Sequence, residues 1–289
     1  MSIDNAVFKD LVFAVAGRTK FRPALVEKDY YLTNILNHLN ERLSERIVFK
    51  GGTLLNKIYL SYRRLSEDLD FTHDGKERLE TRAQRSRAIE PIRESMGSFF
   101  DSLGLRSDRS RGEGFNNSTQ YVFVAKYLSF ITGKDETVKI EVSLRQSPLT
   151  ETVHSPVRHF FQDPFTGEDL LPRNRIRSLS FDEAVAEKLK AAITRRDVTV
   201  RDYYDLWQIV SSGFEFHRED FVSLFKKKLA EDGYRGDFRH FFGRNAEDIA
   251  QIERQVQTDL LPVIRAGEEF DIDALFDRFD RILTDERFL

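Results

Sequence analysis

The chain has 289 residues, with 45 Lys and Arg against 48 Asp and Glu, a formal charge of −3, and no cysteine. The missing cysteine excludes a disulfide framework, a thiolate metal site and a cysteine nucleophile. A hydrophobic share of 40% beside 32% charged residues excludes a disordered chain and leaves one large domain or two smaller ones.

The first elements are helical. Ala6, Val7, Leu11, Phe13 and Val15 recur at a helical period before Gly17. A second helix is predicted from Pro23, a favoured first position, to about Ser44, with Leu25, Tyr30, Leu32, Ile35, Leu36 and Leu39 on its pattern. Ile47-Val48-Phe49 reads as a short strand that runs into Lys50-Gly51-Gly52-Thr53 and a helix carrying Leu54, Leu55, Ile58 and Tyr59. Asp68-Leu69-Asp70-Phe71 alternates as a strand. A charged helix is predicted over about 77–103, and a loop rich in Gly, Arg, Ser and Asn over 107–117. Tyr121 to Val124, with Tyr127, Phe130 and Ile131, and then Val138 to Leu144, read as two strands. The turn Gly133-Lys134-Asp135 joins them into an antiparallel hairpin.

From Ser180 the pattern is helical. Ser180 and Glu183 form a capping-box signature, and further helices are predicted at about 201–212, 218–231, 245–260 and 271–286. This order implies an α+β part with a mixed β-sheet, residues 1–178 with the N-terminal helices, and a helical C-terminal domain, residues 179–289. No basic segment leads into an apolar one at the N-terminus, and no run approaches the roughly 18 apolar residues of a membrane span. A cytoplasmic protein with no membrane association is the expectation.

Two glycines directly after a strand let a ligand approach the backbone, and the helix that follows offers free N–H groups and a positive dipole end to a phosphate. Thr53 adds a hydroxyl. The same residues also fit an ordinary turn. Asp68 and Asp70, two apart on a strand, point to one face. Paired carboxylates suit a hard divalent ion such as Mg²⁺, although a solvated strand face with Leu69 and Phe71 in the core explains them equally. Glu141, alone in the apolar run Ile140-Glu141-Val142, can add a third carboxylate if its strand lies beside the first; otherwise it is a surface residue. Lys188 and Lys190 cannot share a helix face, so at most one points into a site. Asp202 and Asp205, three apart, do share one.

Together these blocks, in this order, resemble the AbiEii/MenT family of nucleotidyltransferase toxins. The blocks are Lys50-Gly51-Gly52-Thr53-Leu54, Arg64 to Phe71, Ile140-Glu141-Val142-Ser143, Glu187-Lys188-Leu189 and Arg201-Asp202-Tyr203-Tyr204-Asp205-Leu206. The resemblance implies a DNA-polymerase-β-like nucleotidyltransferase core and an enzyme that uses an NTP and Mg²⁺. It implies the toxin of a two-gene toxin–antitoxin or phage-defence system, with a separately encoded cognate antitoxin. Some relatives of this kind add nucleotides to the 3′ end of tRNA, which stops charging and translation. By motif match, Asp68 and Asp70 would be catalytic metal ligands, with Glu141 in the third-carboxylate slot. Lys50, Gly51, Gly52, Thr53 and Ser66 would line the nucleotide site, Lys188 would contact phosphates, and Asp205 would be the essential acid of the last block.

Two other readings share the same motifs: a nucleotidyltransferase that modifies a protein, and a non-catalytic nucleotide-binding module. Charge bears on the acceptor. Residues 245–289 hold 12 acidic and 5 basic side chains, a net of −7, so residues 1–244 carry +4. Arginines cluster at Arg106, Arg109 and Arg111, at Arg173, Arg175 and Arg177, and at Arg195, Arg196 and Arg201. Such clusters can track a phosphate backbone, which favours tRNA as the acceptor. Without a heptad or repeat to enforce assembly, a monomer is expected, with Phe270, Phe276, Phe279 and Phe288 packing the helical core.

Overall fold

The structure, a computed structural model, describes residues 5–43, 46–75, 79–163 and 165–288. Helices α1 (Asn5–Thr19) and α2 (Pro23–Arg42) precede strand β1 (Ile47–Lys50). Pro23 opens α2, where its missing N–H has no helical partner to lose; the predicted end at Ser44 lies outside the described residues. Helix α3 (Gly51–Leu54) begins directly after β1 and continues as a π-helical turn, Leu55–Tyr59. Strand β2 (Asp68–His73), α4 (Arg82–Ser102), β3 (Glu113–Phe115), β4 (Gln120–Leu128), β5 (Asp135–Ser143), β6 (Val153–Pro156) and β7 (Arg175–Ser178) follow. The chain ends in α5 (Phe181–Thr194), α6 (Val200–Ser211), α7 (Glu219–Glu231), α8 (Ala246–Gln255) and α9 (Ile272–Leu283), with a π-helical turn, Val256–Leu260, extending α8.

The strands form one mixed seven-stranded sheet in the order β3-β4-β5-β2-β1-β7-β6. β2 is central: it pairs antiparallel with β1 and parallel with β5. The β4–β5 hairpin is antiparallel, as the turn at Gly133 predicts. Helix α5 contacts α3, α6 and α7, so the helical part docks on the turn that leaves β1. One buried cluster runs from Leu32 through Phe49, Ile140 and Leu189 to Phe288, and includes Phe276 and Phe279. Close to the boundary placed at 178, Leu179 N donates to Phe49 O at 3.0 Å.

Several elements differ from the sequence reading. The start of α4 predicted at Glu77 lies outside the described residues, and the helix begins at Arg82, where Thr81 and Gln84 complete a reciprocal capping box. The stretch read as a loop over 107–117 contains β3, whose three exposed residues pair through backbone alone and so show no alternation. β6 and β7 were not predicted. β7 places Ile176 inward between two arginines that read as a charge cluster. Phe130 and Ile131 lie beyond the end of β4 and pack in a second cluster with Phe8, Val12 and Phe161. At α5, Ser180 caps Glu183 N at 3.2 Å, but the Glu183 side chain does not reach back; it accepts from Leu149 N and Thr150 N and pairs with the buried Lys228.

Helix α2 is tied to the π-helical turn by a buried ion pair. Lys57 Nζ lies 2.7 Å from Asp29 Oδ1 and 2.7 Å from the Tyr62 hydroxyl. Burial lowers the Lys57 pKa, and Asp29 opposes it. An Asp29→Ala substitution strands that ammonium in the core and is expected to cost about 3–5 kcal/mol in urea denaturation. A Lys57→Met change in the same chain should restore most of the loss.

Candidate active site

The site is built on β2. Its alternation buries Leu69 and Phe71 and turns Asp68 and Asp70 to the other face. The register places Asp70 opposite Lys50 of β1 on one side and Glu141 of β5 on the other, with Asp68 opposite Lys139. Glu141 therefore lies on the strand beside the pair, on the same face. Burial pushes the Asp70 carboxyl up to about 6, and Glu141 and Asp68 act in the same direction against Lys50 and Lys188.

The turn after β1 closes over Asp70. Gly51 has φ +80°, and a Cβ there would stand 2.2 Å from Asp70 Oδ2, so the position requires glycine twice over. A Cβ on Gly52 would stand 2.6 Å from Arg64 Nη2 and 3.7 Å from Ser66 Oγ. Gly51, Gly52 and Ser66 are thus brought together near Asp70. Thr53 is buried, and its hydroxyl donates to the Asp68 carbonyl at 2.5 Å, bracing β2 against the turn. The helix that follows the two glycines runs without a break from α3 into the π-helical turn, through Tyr59.

The helical part supplies Lys188 and the carboxylates that hold Lys50 and Arg64. Lys188 of α5 places Nζ 2.7 Å from Asp202 Oδ1 and 3.0 Å from Asp205 Oδ2, which confirms that these two acids share a face of α6. Lys190 turns elsewhere, to Gln146 and Asp232. Asp205 is completely buried. Burial raises its pKa, but Arg64 and Lys188 outweigh that and hold it down to about 2. Lys50 Nζ lies 3.3 Å from Glu187, which also receives Lys228 at 3.1 Å. Burial opposes the charge on Glu187, yet these two lysines bring it to about 2.

Among the described residues no group of three or more His, Asp or Glu side chains is close enough to hold a metal ion. Asp68 and Asp70 nevertheless fit one. Their oxygens are hard donors, and Mg²⁺ is commonly held by one or two carboxylates with substrate phosphates completing the shell. The raised Asp70 carboxyl reflects burial first and then the nearby Glu141 and Asp68 charges, and a bound cation would offset both.

Most of the clustered arginines are engaged with carboxylates. Arg106 pairs with Asp135, Arg109 with Glu113, Arg111 with Glu90, Arg173 with Asp169, Arg177 with Asp74, Arg195 with Asp202 and Arg201 with Glu67. Sequence reasoning gave no role to Arg64, Asn56, Glu187 or Lys139. For Lys139 a signal existed, since it alternates with Glu141 on the same strand. Arg64 opens one of the motif blocks, but its partner is 141 residues away, so local pattern did not show what it does.

A mixed sheet that sets an Asp-x-Asp strand beside a strand–Gly-Gly–helix turn is the architecture of a nucleotidyltransferase. The chain belongs to the AbiEii family: the model of the nucleotidyl transferase AbiEii toxin of type IV toxin–antitoxin systems matches residues 34–285. Among solved structures the fold is similar to MenT4, a nucleotidyltransferase toxin from Mycobacterium tuberculosis H37Rv, with a TM-score of 0.61 and 20% identity, covering 98% of this chain and 90% of that one. It is also similar to JHP933 from Helicobacter pylori, with a TM-score of 0.50 and 15% identity, covering 91% of each chain. Curated protein sequences give no match. Family membership makes the protein an NTP-dependent nucleotidyltransferase toxin and implies a cognate antitoxin. Among the described residues no helix is long and apolar enough to cross a membrane.

The raised Asp70 carboxyl gives a signed prediction. With a folded pKa of about 6 against the ordinary 3.8, the native state keeps a proton that the unfolded chain has lost. Stability therefore falls as pH rises through that window, and the full cost applies above it. In metal-free protein at pH 8, Asp70→Asn should gain on the order of 1–2 kcal/mol, and the gain should vanish below the ordinary carboxyl range. Melting temperatures across pH check this.

Proposed function

We propose that this toxin uses Mg²⁺ to transfer a nucleoside monophosphate from an NTP to the 3′ end of tRNA, blocking aminoacylation and so translation in the cytoplasm. The observation that carries the reading is the convergence of Asp68 and Asp70 on one face of β2, directly under the Gly51–Gly52 turn. In this reaction the terminal hydroxyl of the acceptor attacks the α-phosphorus, the bond to the bridging oxygen breaks, and pyrophosphate leaves. Asp68 and Asp70 would hold the ion, with Glu141 beside them. Bound there, it would lower the pKa of the attacking hydroxyl and neutralise the leaving group.

The remaining work falls to the chain's own residues. Gly51 and Gly52 expose backbone to the phosphates. Lys50 and Lys188, each held by a carboxylate from the helical part, offset their negative charge. Ser66 lies beside Gly52, where its hydroxyl can donate to a phosphate oxygen. Lys139, opposite Asp68 and exposed, faces the side from which an acceptor phosphate can enter. The +4 charge of residues 1–244 supports a nucleic-acid acceptor, and the inward packing of Phe276, Phe279 and Phe288 supports a monomer. One observation favours a protein acceptor instead: the clustered arginines pair with acids rather than standing free.

Incubation with each α-labelled NTP, Mg²⁺ and total tRNA tests the reading. Label is expected at the tRNA 3′ end, and Asp68→Ala or Asp70→Ala should reduce it by roughly 100-fold or more. Label on protein alone, or full activity in either variant, overturns the assignment.

A further inference from the structure

Arg64 is 3% exposed, and it donates Nε and Nη2 to the two oxygens of Asp205 at 2.8 and 2.7 Å. Its Nη1 donates to the Leu65 carbonyl at 3.2 Å. Asn56 Nδ2 donates to the Gly52 carbonyl at 3.1 Å and to Asp205 Oδ1 at 2.9 Å, while Asn56 Oδ1 accepts from Arg64 N at 3.1 Å. With Lys188 at 3.0 Å, Asp205 has a donor at each of its roughly four acceptor positions. Buried and saturated, it presents no oxygen to a nucleotide or an ion. Arg64, in contrast, presses on the phosphate turn, since its Nη2 occupies the space that a Cβ on Gly52 would need. An arginine tip on the surface would swing aside. This one is held at both nitrogens that face Asp205.

We propose that Asp205 is a positioning residue that clamps Arg64 against Gly52, and that this clamp sets the Gly51–Gly52 turn at the height at which it receives the NTP phosphates. The inference rests on the nucleotidyltransferase reading and adds to it a role for Arg64 and a different role for Asp205. It also explains how a residue of the last block, far along the chain, bears on the first.

Arg64→Lys tests the clamp, because an ammonium keeps the charge but cannot pair with both oxygens or lie flat along the turn. Binding is read by calorimetry with Mg²⁺ and a non-hydrolysable analogue of each of the four NTPs, alongside kcat and KM. The analogue Kd and the KM for NTP should each rise about tenfold, the equivalent of one lost charge-assisted hydrogen bond. The kcat of the folded protein should stay within about threefold. A merely structural defect would instead lower kcat with the folded fraction and leave KM in place.

Gly52→Ala supplies the second arm. It should weaken binding strongly when Arg64 is present, and several-fold less in the Arg64→Lys chain, where the neighbour can give way. If Arg64→Lys fails to fold, Asp205→Asn, with a native circular dichroism spectrum, is expected to weaken analogue binding by a similar factor. Unchanged binding in whichever of these variants folds, or an equal Gly52→Ala penalty in both backgrounds, overturns the clamp alone. Wild-type protein that binds no NTP overturns both the clamp and the reading beneath it.

Discussion

Asp70 is placed where like charges crowd. It shares a face of β2 with Asp68, stands opposite Glu141 on the parallel neighbour, and is covered by a turn that leaves no room for a Cβ. Such an arrangement is unfavourable by itself: burial first, and then the nearby Glu141 and Asp68, raise the Asp70 carboxyl. Much of the surrounding structure can be understood as what keeps it in place. The hydrophobic alternation of β2 locks the register, because a slip of one residue would bury both aspartates and expose Leu69 and Phe71. The glycines after β1 admit the carboxylate, and Thr53 ties the turn back to the strand through the Asp68 carbonyl.

The helical part completes this arrangement rather than standing apart from it. Lys188 and Glu187 on α5, and Asp202 and Asp205 on α6, meet Lys50, Asn56 and Arg64 from the first part of the chain. These are buried or half-buried ion pairs, and such pairs contribute less to net stability than to a unique geometry, because desolvation offsets much of the attraction. Removing one partner leaves a stranded charge, so the network is sensitive to single substitutions although it adds little to overall stability. The Glu187–Lys228 and Glu183–Lys228 contacts extend it to α7, which connects the outer helices to the Asp68–Asp70 side of the sheet.

Local pattern made the main elements legible. The alternation around Asp68 to Phe71, the hairpin at Gly133 and the helices from Ser180 onward all rest on short-range periodicity and turn chemistry, and they appear in the structure near the predicted positions. β3, β6 and β7 were not legible. They are three or four residues long, lie towards the two ends of the sheet and carry charges or Pro156, so their strand character comes from neighbours rather than from their own side chains. The partners of the arginine clusters were not legible for a similar reason. Adjacent arginines in the sequence look like a basic patch, but most pair with acids, and some of those acids are brought near only by folding, as Glu90 is to Arg111 and Asp74 to Arg177.

By itself the sequence determined the chemical parts: a strand followed by two glycines, an Asp-x-Asp strand, a lone Glu in an apolar run, and a helix with Lys188 ahead of one with Asp202 and Asp205. Spacing of two on a strand and three on a helix is enough to assign shared faces, since those periods are properties of the backbone. Only the tertiary structure decided which faces meet. It set β5 beside β2, so that Glu141 adjoins Asp70, and it buried Asp205 under Arg64, where its carboxylate pairs with the guanidinium. Contacts between residues this far apart in the chain depend on how sheet and helices pack, and local sequence pattern carries no record of that packing.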